Sequence, residues 1–112
     1  MAKYEAELRG DFDRILREID DAVLNRSFSA TLEEESSFVS GDSRCEIRTY
    51  ERYSYTGNNR VSMNITLFKA GDRIFASAIT SGGSQAMLFK INTIGEDSFL
   101  ETVTDVLRGY RI

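Results

Sequence analysis

The first part of the chain changes its hydrophobic period once. Over residues 2–9 apolar and charged side chains alternate, with Tyr4, Ala6 and Leu8 on one side, which predicts a half-buried β-strand. After this strand the apolar residues recur at helical spacing, at Phe12, Ile15, Leu16, Ile19 and Val23. This second pattern predicts an amphipathic helix with Asp11 as its N-cap.

From Ser27 onward the period of two returns and is interrupted by clusters of turn-forming residues. These clusters lie at 40–42, 57–59 and 71–72, where glycine is joined by serine, asparagine or aspartate, and at 82–83, which is Gly-Gly. Such residues tolerate the backbone angles of tight turns, so they predict consecutive strands joined by short reversals. The pattern also permits one more strand at the end of the series, over 86–91. A second amphipathic helix is then predicted from Glu96 to Gly109.

The predicted order of elements is therefore β-α-β-β-β-β-(β)-α. Consecutive strands joined by short turns pair as an antiparallel meander. Two helices that are each apolar on one side bury those sides against the same face of the sheet. We predict one α+β domain over residues 1–112, built as a two-layer sandwich with both helices on one face.

This order of elements resembles the TBP-like or helix-grip arrangement, in which a curved sheet wraps a long C-terminal helix. The local text also resembles a family of small uncharacterised bacterial proteins, through ERYS at 51–54, GNNRVS at 57–62 and SGGSQ at 81–85. The helix-grip resemblance implies a hydrophobic ligand between helix and sheet, and the TBP-like one implies DNA on the open sheet. One fold hosts many functions, so neither role follows from the order of elements alone.

The composition excludes several chemistries. The chain has no histidine and one cysteine, Cys45, so histidine-activated nucleophiles and a structural zinc site within the chain are excluded. The net charge of −4 disfavours a domain that holds nucleic-acid phosphates. We predict no catalytic residue, no metal and no cofactor, and a role that is not enzymatic.

The same features bear on location. A single cysteine forms no internal disulfide, so nothing in the chain indicates an oxidising compartment. No apolar run approaches the roughly 20 residues that a membrane-spanning helix needs, and no signal-peptide pattern is present. We therefore expect a cytoplasmic protein with no membrane partner.

One face of the predicted sheet carries almost no charge. With Cys45, Ile47 and the apolar residues of the next strands facing the helices, the outward residues form a candidate interface. They are Arg48, Tyr50, Arg52, Ser62, Asn64, Thr66, Phe68, Phe75, Ser77 and Ile79. A solvated sheet face normally carries lysine and glutamate, so these residues indicate a contact surface. The alternative is an ordinary solvated face rich in serine and threonine.

Three arginines of one strand form a second candidate site. Arg44, Arg48 and Arg52 share a side of the strand, and guanidinium groups bind carboxylate or phosphate with two hydrogen bonds. The predicted ligand is an anion. Glu46 lies in the same row, so pairing of opposite charges within the sheet is the alternative.

The sequence thus favours an interaction or ligand-binding module that self-associates as a homodimer through its open sheet face. A small-molecule binder or histidine-free enzyme, with a cavity between the C-terminal helix and the sheet, is the first alternative. Its ligand would be small and hydrophobic, or anionic. A nucleic-acid binder that uses the sheet face is the second alternative, and the net acidity counts against it.

Overall fold

The fold is seen in a computed structural model that describes residues 1–27, 29–53, 60–82 and 89–112, with the backbone alone described for 89–96. Its elements are β1 (Ala2–Leu8), α1 (Phe12–Arg26), β2 (Thr31–Ser40), β3 (Ser43–Tyr53), β4 (Arg60–Ala70), β5 (Arg73–Gly82) and α2 (Phe89–Tyr110). The predicted α+β class and the order of elements are confirmed.

The five strands in this part of the chain form one antiparallel sheet, in the order β1-β5-β4-β3-β2. Two of its hairpins turn within the predicted clusters at 40–42 and 71–72, on the two-residue loops Gly41-Asp42 and Gly71-Asp72. Gly41 and Gly71 have φ angles of 57° and 63°, whereas neither aspartate has a positive φ. A positive φ at the first turn residue is typical of type II′ turns, which match the twist of paired strands. The predicted turn at 57–59 lies outside the described residues.

Helix α1 begins where the sequence predicts. Asp11 lies in extended conformation, and its Oδ2 accepts a hydrogen bond from the backbone N–H of Arg14 at 2.9 Å. This is the N-cap interaction, which satisfies one of the free N–H groups of the first turn. The predicted apolar side is the buried one, with Phe12, Ile15, Leu16, Ile19 and Val23.

Helix α2 begins earlier than predicted, at Phe89 instead of Glu96. Residues 89–91 are therefore helical, so the strand predicted over 86–91 is wrong at these positions. The first part of that predicted strand, 86–88, lies outside the described residues. Gly95 lies inside the helix and does not end the sheet region. The apolar residues Leu88, Ile91 and Ile94 recur every three positions, and so short a run does not distinguish a strand from a buried helix.

The main core lies between α2 and the sheet. Helix α2 covers β1, β5 and β4, and α1 packs beside α2. Phe99, Val103 and Leu107 of α2 have no exposed surface. They belong to one apolar cluster with buried residues of β4 and β5, namely Val61, Met63, Ile65, Leu67, Ile74, Ala76 and Ala78. Each larger apolar side chain buried here contributes about 1.5–3 kcal/mol, which anchors the layer below the candidate site.

The two edges of the sheet differ. Beyond β1 the chain end pairs with it: Leu8 bridges Arg111, and the backbone N–H of Ile112 donates to the carbonyl of Glu7 at 3.0 Å. Strand β2 is the other edge, and its side chains from Glu33 to Ser40 are exposed on both faces. A β-bulge interrupts its pairing with β3 between Leu32 and Glu34.

Candidate functional site

The side of the sheet away from the helices, here called the open face, is formed by the outward side chains of β2 to β5. Its centre consists of uncharged residues from three strands. These are Cys45, Ile47 and Thr49 of β3, Asn64, Thr66 and Phe68 of β4, and Phe75, Ser77 and Ile79 of β5. Most are half-buried, and the predicted residues of β4 and β5 lie where the sequence placed them.

The prediction for β3 is wrong by one residue. Arg48, Tyr50 and Arg52 were expected on the open face, but their side chains point toward the helices. Their partners across the strand pair are Ile65, Met63 and Val61, which are all buried. Directly opposed residues share a face of the sheet, so the alternation places Cys45, Ile47 and Thr49 outward instead.

Helix α1 explains why a row of arginines is stable on the inner face of the sheet, which is the face toward the helices. Each arginine reaches a polar group of the helix or its C-cap. The pairs are Arg44 Nη1 with Asp13 Oδ1 (2.7 Å), Arg48 Nη1 with Asp20 Oδ1 (3.3 Å) and Arg52 Nη1 with Ser27 Oγ (3.1 Å). Buried charges need such partners because water no longer solvates them. The anion site predicted at these arginines stays a prediction, and all three guanidinium groups contact groups of the chain itself.

The spacing of these pairs is regular. The arginines are four residues apart along β3, which is about 13 Å in a strand. Their partners in α1 are seven residues apart, which is about 10.5 Å in a helix. The distance between successive arginines is therefore close to the distance between successive partners, which are two helical turns apart. The small difference is within the reach of a flexible arginine side chain. We call this set the arginine ladder.

Tyr50 lies within the ladder and has no exposed surface. Its hydroxyl donates a hydrogen bond to Oδ1 of Asp20 at 2.8 Å. Burial raises the pKa of the Tyr50 hydroxyl, and its hydrogen bond to Asp20 raises that pKa further. The tyrosine therefore keeps its proton at any physiological pH and acts as a hydrogen-bond donor that positions α1.

Four residues of the open face form one cross-strand row, here called the aromatic row. Phe38 is opposite Cys45, Cys45 is opposite Phe68, and Phe68 is opposite Phe75. The rings of Phe68 and Phe75 are stacked, with centroids 6.4 Å apart and planes inclined by 25°. Phe38 is 62% exposed and Phe68 is 39% exposed. Aromatic rings so exposed are typical of contact surfaces.

Phe38 and Cys45 are members that the sequence analysis missed. The alternation predicts that Cys45 faces the helices, whereas its side chain is half-buried on the open face. The signal was present in the two-residue turn at Gly41-Asp42, since such a turn fixes the register and sets Phe38 opposite Cys45.

The polar residues next to this row are already hydrogen-bonded to one another. Asn64 Nδ2 donates to Thr49 Oγ1 at 3.2 Å, and Thr66 Oγ1 donates to Asn64 Oδ1 at 3.5 Å. Polar groups paired in this way lose less on desolvation than groups that depend on water. A partner can therefore cover the centre of the open face with only a small desolvation penalty.

Two shallow hollows flank Phe68. The larger, of about 450 Å³, lies over β4, β5 and β1 and is lined by Glu5, Ala6, Glu7, Thr66, Phe68, Phe75, Ala76 and Ser77. The smaller, of about 300 Å³, lies over the ends of β2 and β3 and includes Phe38, Cys45 and Phe68. Each hollow has the ring of a phenylalanine in its wall, so each suits an apolar side chain from outside.

Charges lie at the margin of the open face, mainly on β1. Arg73 Nε and Nη2 donate to the two carboxylate oxygens of Glu7 at 3.0 and 3.1 Å. This bidentate hydrogen bonding holds the pKa of Glu7 below its ordinary value. Lys3 and Glu5 lie beyond this pair on the same strand, with Lys3 Nζ 3.8 Å from Glu5 Oε1.

Comparison with known proteins agrees with the sequence resemblance. Residues 1–111 match the model of a family of unknown function, DUF6054. The chain belongs to this family. No curated protein and no solved structure gave a significant match. The geometry of the DUF6054 chain itself is therefore the basis of any functional assignment.

Within 1–27, 29–53, 60–82 and 97–112, no three aspartate, glutamate or cysteine side chains converge as metal ligands. Neither helix, over its described residues, is long and apolar enough to cross a membrane. The open face, with its exposed aromatic rings and charged margin, remains the candidate site.

Proposed function

We propose that this DUF6054 chain is a non-enzymatic interaction module that forms a homodimer through the open face of its sheet. The observation that carries the proposal is the uncharged centre of that face, with Phe38 and Phe68 exposed beside it. A solvated face of an antiparallel sheet normally carries charged residues, whereas the cores of interfaces are depleted of them.

The area of the face supports a second copy as the partner. Strands β2 to β5 are 10 or 11 residues long. Four strands of this length cover about 19 by 30 Å, or nearly 600 Å². Two such faces bury about 1,200 Å², which is the lower end of the standard range for stable interfaces. Identical subunits joined by a two-fold axis are also the commonest oligomers.

The other functions have weaker support. A ligand cavity under α2 would need room beside Phe99, Val103 and Leu107, which have no exposed surface in the apolar core. A nucleic-acid role on the open face would need cations there, and the centre has none. We also propose a cytoplasmic location, because the one cysteine, Cys45, forms no disulfide within the chain and so gives no sign of an oxidising compartment.

The test is the solution mass by light scattering at two protein concentrations. We expect a dimer at the higher concentration for the natural sequence and a monomer for Thr66→Arg, which places a charge at the centre of the open face. Asn25→Arg is the matched control, since it adds the same charge to an exposed position of α1. A natural sequence that is monomeric at both concentrations refutes the proposal, as does a Thr66→Arg variant that stays dimeric.

A further inference from the structure

We infer that the two copies stack with a two-fold axis that runs parallel to the strands, between β3 and β4. Phe38 of each copy then lies over Phe75 of the other. This inference rests on the proposed homodimer and specifies its geometry. It follows from the order of residues along the rows of the open face.

The aromatic row is symmetric about such an axis. Phe38 and Phe75 are its outer members, on β2 and β5, and Cys45 and Phe68 are its inner members. An axis midway between β3 and β4 exchanges the outer members and exchanges the inner ones. The stacked rows therefore bring three aromatic rings and one thiol of each copy against the same set of the other, with apolar contacts throughout.

The next two rows agree with the same axis. Ser36, Ile47, Thr66 and Ser77 form the first of them, which sets serine over serine and Ile47 over Thr66. Glu34, Thr49, Asn64 and Ile79 form the second. There the axis sets Thr49 over Asn64, where hydrogen-bonding groups meet. No row of β2 to β5 in this stack places two like charges in contact.

The hollows fit the exposed rings. The hollow of about 450 Å³ beside Phe75 lies where Phe38 of the other copy arrives, and the hollow of about 300 Å³ beside Phe38 lies where Phe75 arrives. Because the projecting ring and its receiving hollow lie on the same face, both contacts form at once. The assembly therefore closes as a dimer and does not propagate into a fibre.

Charge distinguishes this axis from the other face-to-face arrangement. An axis across the strands through the row of Thr66 and Ser77 would stack β1 on β1 and set Glu5 of one copy over Glu5 of the other. The axis along the strands sets no strand over β1, so the two Glu5 carboxylates stay apart. It also sets Glu34 of one copy over Ile79 of the other. Lys3 of that other copy lies beside Ile79 on the neighbouring strand, so Glu34 and Lys3 bring opposite charges together at the margin.

Cross-linking at single cysteines tests the axis. With one strand spacing sideways and about 10 Å between sheets, the two Cys45 Cα atoms lie about 11 Å apart, within reach of a short bismaleimide. Cys45→Ser/Thr49→Cys places its thiols at the same separation, and we expect it to link equally well. Cys45→Ser/Ser77→Cys places them about 17 Å apart, and we expect little product.

An axis across the strands predicts a different result. Only the row of residues that such an axis crosses lies over the same row of the other copy, and all other rows move apart. Positions 45 and 49 then cannot both link, so failure of either variant in a protein that is dimeric by mass overturns the inference. Efficient linking at position 77 overturns it too. These outcomes leave the proposed homodimer intact, whereas a monomeric natural sequence refutes the homodimer itself.

The contact of Phe38 is tested by a matched pair of substitutions. Phe38→Ala removes a ring from the open face, whereas Leu24→Ala removes an exposed apolar side chain from α1. We expect Phe38→Ala to raise the dimer dissociation constant about 30-fold or more, since each dimer loses two anchoring rings. Leu24→Ala should leave it within about twofold. Equal effects of the two variants contradict the inferred contact.

Discussion

The hydroxyl of Tyr50 donates to Oδ1 of Asp20 at 2.8 Å, and Nη1 of Arg48 lies 3.3 Å from that same oxygen. One carboxylate oxygen of α1 thus joins two side chains of β3. Removing the hydroxyl leaves Asp20 paired with Arg48 alone, and the partly buried carboxylate loses a hydrogen bond that water replaces poorly.

We therefore expect Tyr50→Phe to lower the free energy of unfolding by about 1.5–3 kcal/mol, which is the range for a hydrogen bond to a charged group. Urea unfolding followed by circular dichroism measures the change. Tyr53→Phe is the control, because Tyr53 is 56% exposed. A loss as small as that of the control would show that the hydrogen bond contributes nothing.

The same tyrosine predicts a dependence on alkaline pH. Its pKa is raised in the folded protein, whereas an unfolded tyrosine ionises near pH 10. Above about pH 10 the unfolded chain loses a proton that the folded chain keeps, so stability falls as pH rises. The natural sequence should lose its advantage over Tyr50→Phe between pH 10 and 12. An advantage that stays constant in unfolding measurements across this range would contradict the assignment.

Glu7 predicts the opposite sign at acid pH. Its pKa is lowered, chiefly by its hydrogen bonds with Arg73, so its contribution is present above about pH 4.5 and is lost as pH falls. NMR titration of the carboxyl carbon should give a pKa below the ordinary value. Arg73→Gln should raise that pKa toward the ordinary glutamate value, whereas Lys3→Gln should change it little. An unchanged pKa in Arg73→Gln would refute the pairing.

Two glycines predict substitutions of opposite effect. Gly82 has a φ of 135°, and a Cβ added there would collide with the carbonyl oxygen of Arg60. Gly82→Ala should therefore cost about 2 kcal/mol or more of stability. Gly109 lies in α2 with open space around it, so Gly109→Ala should gain about 0.5–1 kcal/mol. Thermal unfolding separates the two, and similar midpoints would contradict both expectations.

The inferred axis predicts a charge pair between copies, Glu34 with Lys3. Glu34→Lys or Lys3→Glu should each weaken dimerisation a few-fold at low salt, and the double reversal should restore it. The effect should disappear near 1 M salt, where the screening length is about 3 Å. Sedimentation equilibrium measures the dissociation constants. Additive losses in the double reversal would show that the two side chains do not meet.

The sequence was sufficient for helix α1, because Phe12 to Val23 follow a helical period and Asp11 is a good cap. It was insufficient for β3, where both sides of the strand carry plausible inward residues. Cys45 and Ile47 are apolar, but Tyr50 and the arginines are the inward set because Asp13, Asp20 and Ser27 offer them polar partners. Alternation predicts that a segment is a strand, but tertiary contacts decide which of its two sides faces the core.

The candidate site was predicted in the same uneven way. Thr66, Phe68, Phe75 and Ser77 were assigned correctly to the open face, because β4 and β5 alternate clearly between apolar and polar residues. Phe38 was missed because β2 reads as a polar stretch, 33–37, that ends a strand. Only pairing with β3 keeps that stretch extended, and pairing is a long-range property.

The exposure of β2 has a consequence for local opening. Both helices and strands β1, β5 and β4 share one buried apolar cluster, whereas no side chain of β2 is buried. Regions with few buried apolar contacts open at lower free energy than the whole molecule. Amide hydrogen exchange should therefore be faster in β2 than in β4. The protein would then open at its β2 edge first, while the strands under α2 stay closed.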